Sequence, residues 1–241
     1  MDKNHPDVIA QAGTDTRAAG FLLLLAAVVS VVFVALDPVV TGDSSRTILQ
    51  AVVANSAMHR VVHAVELACV ACLAFGFISL AARIGLRRPA VLGACVAYCV
   101  GCLAMIGAAV TDGFITGDVA SYYLLPGHDA DTGREMVHLC YVVIQDFAMA
   151  SWFFQAVGVL AMAGALLRGR GLQRVAGCLG LATGALAPIA ILVAYPAMDT
   201  SVVVGILLTQ MAWNVMAAIL LLRPWKPAPM TSSSPREAVP A

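Results

Sequence analysis

The chain has 241 residues, 61% of them hydrophobic and 12% charged, with a mean hydropathy of +0.88; an ordinary soluble domain carries about 25% charged residues. Lys plus Arg and Asp plus Glu are both 14, for a formal net charge of zero, so no basic surplus exists to hold a nucleic acid. That balance excludes an ordinary soluble domain and points to an all-α integral membrane protein whose first partner is the lipid bilayer.

Residues 1–17 form a polar N-terminal segment, and 18–36 then run without a charge. This first apolar run exceeds the roughly 7–15 residues of a signal peptide, and no Ala-x-Ala site closes it, so it reads as an uncleaved span. Asp37-Pro38 ends it. Asp43-Ser44-Ser45 has the form of a helix start, with 47–54 either lying along the interface or extending the next helix outward. Further spans are expected at 57–82, 89–113, 137–167, 173–198 and 201–223, which makes 18–223 a six-transmembrane-helix domain. Residues 118–134 read as a flexible cover between the third and fourth spans, and 224–241, rich in Pro and Ser, as a disordered C-terminal tail.

Basic residues in short connections set the expected orientation. Arg83, Arg87 and Arg88 follow the second span, Arg168, Arg170 and Arg174 the fourth, and Arg223, Lys226 and Arg236 the sixth. With these regions in the cytoplasm, both termini are cytoplasmic and the protein belongs to an inner or plasma membrane. The cysteines all fall within apolar segments, where a disulfide framework is not expected; Cys69-x-x-Cys72 and Cys99-x-x-Cys102 read as small core residues.

Ionisable groups at membrane depth are costly, so those on the spans are the functional pointer. His59, His63, Glu66, Asp112, His138, Asp146 and Asp199 all map to the outer half of the bundle. His59, His63 and Glu66, spaced four and three apart, share a helical face; His138, Tyr141 and Gln145 make a similar stripe. At 1.5 Å per residue, Glu66 and Asp146 lie roughly 13–14 Å below the surface, with Gln210 at the same level. An outward-facing pocket is therefore expected, with Glu66, Gln145, Asp146, Asp199 and Gln210 as its polar lining.

The chemistry this pattern suits is the binding or conduction of a small cation, a proton or a metal-linked ligand. His59-x-x-x-His63 places two imidazoles on adjacent turns, and His138 and Asp112 would complete an N/O site for zinc or copper. Arg60 follows the first histidine where the soluble metalloprotease pattern needs Glu, so that motif is absent. A ladder of His, Glu and Asp also suits a proton relay. Haem held by His63 and His138, resembling small membrane cytochromes b, is a weaker reading because additional paired histidines are missing from the inner half. A metal-dependent intramembrane hydrolase acting on lipid is the rival enzyme class. Polar helix packing in a structural subunit is the remaining alternative.

Overall fold

A computed structural model describes residues 5–194 and 200–224. Seven α-helices run in chain order: α1 (His5–Ala35), α2 (Ser45–Ile84), α3 (Pro89–Val110), α4 (Gly117–Tyr123), α5 (Ala130–Leu166), α6 (Leu172–Ala194) and α7 (Thr200–Leu222). A π-helical turn, Thr111–Thr116, joins α3 to α4, so the three pieces make one rod over Pro89–Tyr123. Six helices are long and apolar enough to cross a membrane. In each, only 28–50% of the most apolar window is buried, so much of the apolar side-chain surface faces outward. Such a surface is consistent with a multi-pass membrane protein, in which helices satisfy their own backbone polar groups.

Local chemistry fixes the helix ends. Ser44 caps α2, its hydroxyl accepting from the Thr47 N–H while Thr47 Oγ1 accepts from the Ser44 N–H in return. Pro89 opens α3, where its missing N–H costs nothing. Asp129 caps α5, accepting from the Thr132 hydroxyl at 2.6 Å and the Thr132 N–H at 2.9 Å, and those hydrogen bonds hold its carboxyl below the usual range. Residues 47–54 extend α2 outward rather than lying apart from it. The expected cover at 118–134 is mostly helical, because the third span continues through the π turn to Tyr123 and α5 begins at Ala130.

Consecutive long helices pack against one another, α5 lies along α3, and α7 closes back on α1. Small residues bring α3 and α5 together: a Cβ on Gly158 would sit 2.9 Å from the Ala94 carbonyl oxygen, and one on Gly101 2.7 Å from that of Ser151. Beneath this crossing the Phe77 and Tyr98 rings stack at 4.0 Å, and the buried Tyr98 hydroxyl donates to Asn214 Oδ1 at 3.2 Å. At the end of the bundle rich in arginine, the Arg83 guanidinium donates to the carbonyls of Leu220, Leu221 and Arg223, closing the C-terminus of α7. The α1–α2 connection, the π turn, α4 and the start of α5 gather at the opposite end. The expected disordered tail, apart from Pro224, and the expected end of the fifth span from 195 to 198 fall outside the described residues.

Candidate metal centre

The face of α2 that carries His59, His63 and Glu66 turns into this opposite end of the bundle, and the two histidines are 8% and 6% exposed. Their rings are parallel, 4° apart in plane, with centroids 6.1 Å apart. Asp37, in the connection between α1 and α2, reaches both: Oδ1 is 3.0 Å from His59 Nδ1, and Oδ2 is 3.8 Å from His63 Nε2. Asp112, on the π turn, brings Oδ2 to 3.4 Å from the same Nε2. The other nitrogen of His63, Nδ1, stands 2.8 Å from Glu66 Oε2. In the neutral ring with Nδ1–H donating to that carboxylate, Nε2 keeps a lone pair that a cation between it and the two further carboxylates would take up.

The π turn supports this arrangement from below. Such turns are frequent at functional sites. Thr116 Oγ1 donates to the Thr111 carbonyl at 2.9 Å, satisfying a backbone oxygen within the widened turn. Gly113 lies directly under His63, where a Cβ would come to 2.5 Å from the His63 Cβ and 3.0 Å from its ring. Only a residue without a side chain lets the imidazole sit there.

Asp37 Oδ1, His59 Nδ1 and His63 Nε2 are each buried, and none makes a hydrogen bond. They approach one another in distance without the geometry of a donor–acceptor pair. Burial pushes the Asp37 carboxyl above its usual range; the His63 and His59 rings oppose that rise, and the negative charges of Asp112 and Glu66 add to it. Among the described residues, the His, Cys, Asp and Glu side chains whose ligand atoms all lie within 4.8 Å of one another are Asp37, His59 and His63. A tetrahedral ion with bonds of about 2.0–2.1 Å separates its ligand atoms by roughly 3.3–3.5 Å, between the two contacts that Asp37 makes. Two imidazoles, a carboxylate and a carboxylate behind one imidazole form a donor set suited to zinc or copper.

Two hollows adjoin the triangle. A cavity of about 10 Å³ lies among His59, Asp112, Gly113, Thr116 and Tyr141, which is close to the room one water needs. A larger one of about 530 Å³ opens beyond it, with Asp37, His59, Asp112 and Tyr141 in its wall. Arg60 does not face this centre; its Nη2 pairs with Asp118 Oδ1 at 2.6 Å, near the surface.

The structure thus brings together His59, His63, Glu66 and Asp112 from the residues expected of the site. His138, Gln145 and Asp146 are exposed on α5 and outside the cluster. Their azimuth follows from the inward stripe of α5, in which Gly133, Val137, Ser151, Gln155 and Val159 are buried; His138 lies about 100° round the helix from Val137. Gln210 lies on α7 with its Nε2 buried and unbonded. Asp199 lies outside the described residues. The expected haem ligands were His63 and His138, and His138 is exposed on α5 rather than grouped with His63. Asp37 is the ligand that sequence reasoning passed over; its signal was a carboxylate placed directly between an apolar span and Pro38. Comparison with protein-family models, with curated proteins and with solved structures finds no match to this chain.

Proposed function

We propose that the chain is a multi-pass protein of an inner or plasma membrane, with both termini cytoplasmic, that binds a divalent transition-metal cation, zinc or copper, at Asp37, His59 and His63. The bundle end bearing these residues then faces away from the cytoplasm, since the opposite end carries the arginine-rich connections. Asp112 and Glu66 act on the same imidazole from either side, Glu66 orienting it and Asp112 adding negative charge next to the ion.

The observation that carries this reading is the meeting of three buried atoms, Asp37 Oδ1, His59 Nδ1 and His63 Nε2, none of which makes a hydrogen bond. Buried polar groups without partners are costly, and a carboxylate oxygen facing imidazole lone pairs is satisfied by a cation. Binding explains the site better than conduction. Inward from Glu66, α2 presents Cys69, Val70, Leu73, Phe77 and Leu80 to the apolar core, and the buried polar residues beyond the cluster are uncharged among the described residues.

Metal analysis of detergent-purified protein tests the proposal, with His59→Ala and His63→Ala alongside. Zinc or copper at one ion per chain, lost in both variants while the protein still elutes as a folded species, is the expected result. No stoichiometric uptake by folded wild-type protein from buffered metal solutions would overturn it and leave a proton as the occupant of the triangle.

A further inference from the structure

We infer that this centre is a hydrolytic one, cleaving the ester or amide bond of a neutral membrane lipid; the inference rests on the metal reading above. Three protein ligands are the number that leaves a tetrahedral ion one position for water, which is the arrangement of catalytic rather than structural zinc. A water-sized cavity adjoins His59, and its other walls include Asp112 and Tyr141. Asp112 touches the edge of the ligand triangle through His63 without belonging to it. A carboxylate so placed is a base for a water on the ion.

The larger cavity names the substrate class. It opens from the same residues and continues along Pro38, Val39, Val40 and Ile48, an apolar wall at the end of a bundle whose outer surface is itself apolar. Its wall holds no lysine or arginine to grip an anionic headgroup, and a neutral carbonyl compound with an alkyl chain is accommodated. A reaction completed at one end of the bundle also needs no passage through the apolar core below Glu66.

The step balances as a simple hydrolysis. Asp112 removes a proton from the water as its oxygen forms a bond to the substrate's carbonyl carbon, and Tyr141 supplies the hydroxyl donor in the wall of the hollow. The bond from that carbon to the ester oxygen or amide nitrogen then breaks, and Asp112 returns the proton to the leaving atom. The products are a fatty acid and an alcohol or amine; no oxidant or reductant takes part.

The test uses zinc-loaded full-length protein in neutral detergent micelles, with the palmitoyl ester of methylumbelliferone and the palmitoyl amide of aminomethylcoumarin as fluorogenic probes and their acetyl analogues as water-soluble counterparts. Turnover of a palmitoyl probe in preference to its acetyl analogue is expected, abolished by His59→Ala together with zinc binding. Asp112→Asn is expected to retain stoichiometric zinc and lose about 10²–10⁴-fold in kcat, the range for a positioned acid–base group. Zinc bound at one ion per chain with neither palmitoyl probe cleaved would overturn the hydrolytic inference while leaving the metal site standing; neither zinc nor copper bound would overturn both. Turnover undiminished in His59→Ala would assign the activity to something other than this centre, and equal rates on acetyl probes would refute the lipid assignment.

Discussion

Glu66 touches no ion in the proposed site, yet its removal is expected to weaken metal binding in a graded way. Its Oε2 lies 2.8 Å from His63 Nδ1, so it holds the ring tautomer that leaves Nε2 free to ligate, and its charge makes that nitrogen a better donor. Loss of such an outer carboxylate typically costs 10–100-fold in affinity, about 1.4–2.8 kcal/mol. Glu66→Gln keeps an amide oxygen to accept from Nδ1–H and loses only the charge, so it is expected near the tenfold end. Glu66→Ala leaves a buried imidazole N–H without a partner and is expected near the hundredfold end. Competition between the purified protein and a fluorescent zinc chelator measures both. Wild-type affinity in Glu66→Ala, in a preparation where His63→Ala has lost zinc, would refute the claim that this carboxylate orients the ring. A larger loss in Gln than in Ala would refute the charge argument.

Gly113→Ala should displace His63, since the new methyl would stand 2.5 Å from the His63 Cβ; overpacking of this kind costs about 1–3 kcal/mol. Unfolding in mixed micelles should show that loss together with weaker zinc binding, whereas Gly117→Ala, 3.3 Å from the Ser56 Cβ, should affect both much less. Zinc affinity should fall with acidification through the raised Asp37 value, about tenfold per pH unit if one proton is displaced per ion, and calorimetry in buffers of different ionisation enthalpy counts that proton. In the metal-free protein the sign is reversed: because folding raises this carboxyl above 3.8, its contribution to stability is fully present below that value and is lost as pH rises through the folded one. Zinc at about 100 times its dissociation constant should then stabilise the protein by about 2.7 kcal/mol at neutral pH and progressively less in acid. Gly158→Ala should separate α3 from α5 at Ala94 and Tyr98 and cost about 1–3 kcal/mol, read as a lower unfolding midpoint in mixed micelles without loss of stoichiometric zinc.

Hydropathy made the six long helices legible, because a span needs about 20 apolar residues whatever its neighbours do. The His59, His63 and Glu66 stripe was equally legible, since helical periodicity alone aligns residues three and four apart. The rotation of each helix about its own axis was harder to read. On α5 it follows from where Gly133 and Gly158 admit close neighbours, which places Tyr141 in the cavity wall and His138 outside it. Asp37 sits in a connection with no period to fix its direction, so its approach to both histidines depends on how that connection folds back over α2. The third helix runs on past residue 113, where its span was expected to end, through the π turn to Tyr123; Gly113, within that turn, gives His63 its room.

Asp37, His59 and His63 all belong to the first hairpin of the chain, while Asp112 arrives only with the far end of α3. During synthesis the first two helices can therefore capture an ion before the rest of the bundle has emerged, knitting the α1–α2 connection to its neighbour early. The proposed reactivity would wait for the third segment to bring its carboxylate alongside. A nascent chain stalled after α2 would be a metal carrier with no power to cleave anything, and the newly inserted protein would be chemically silent until its third helix had docked.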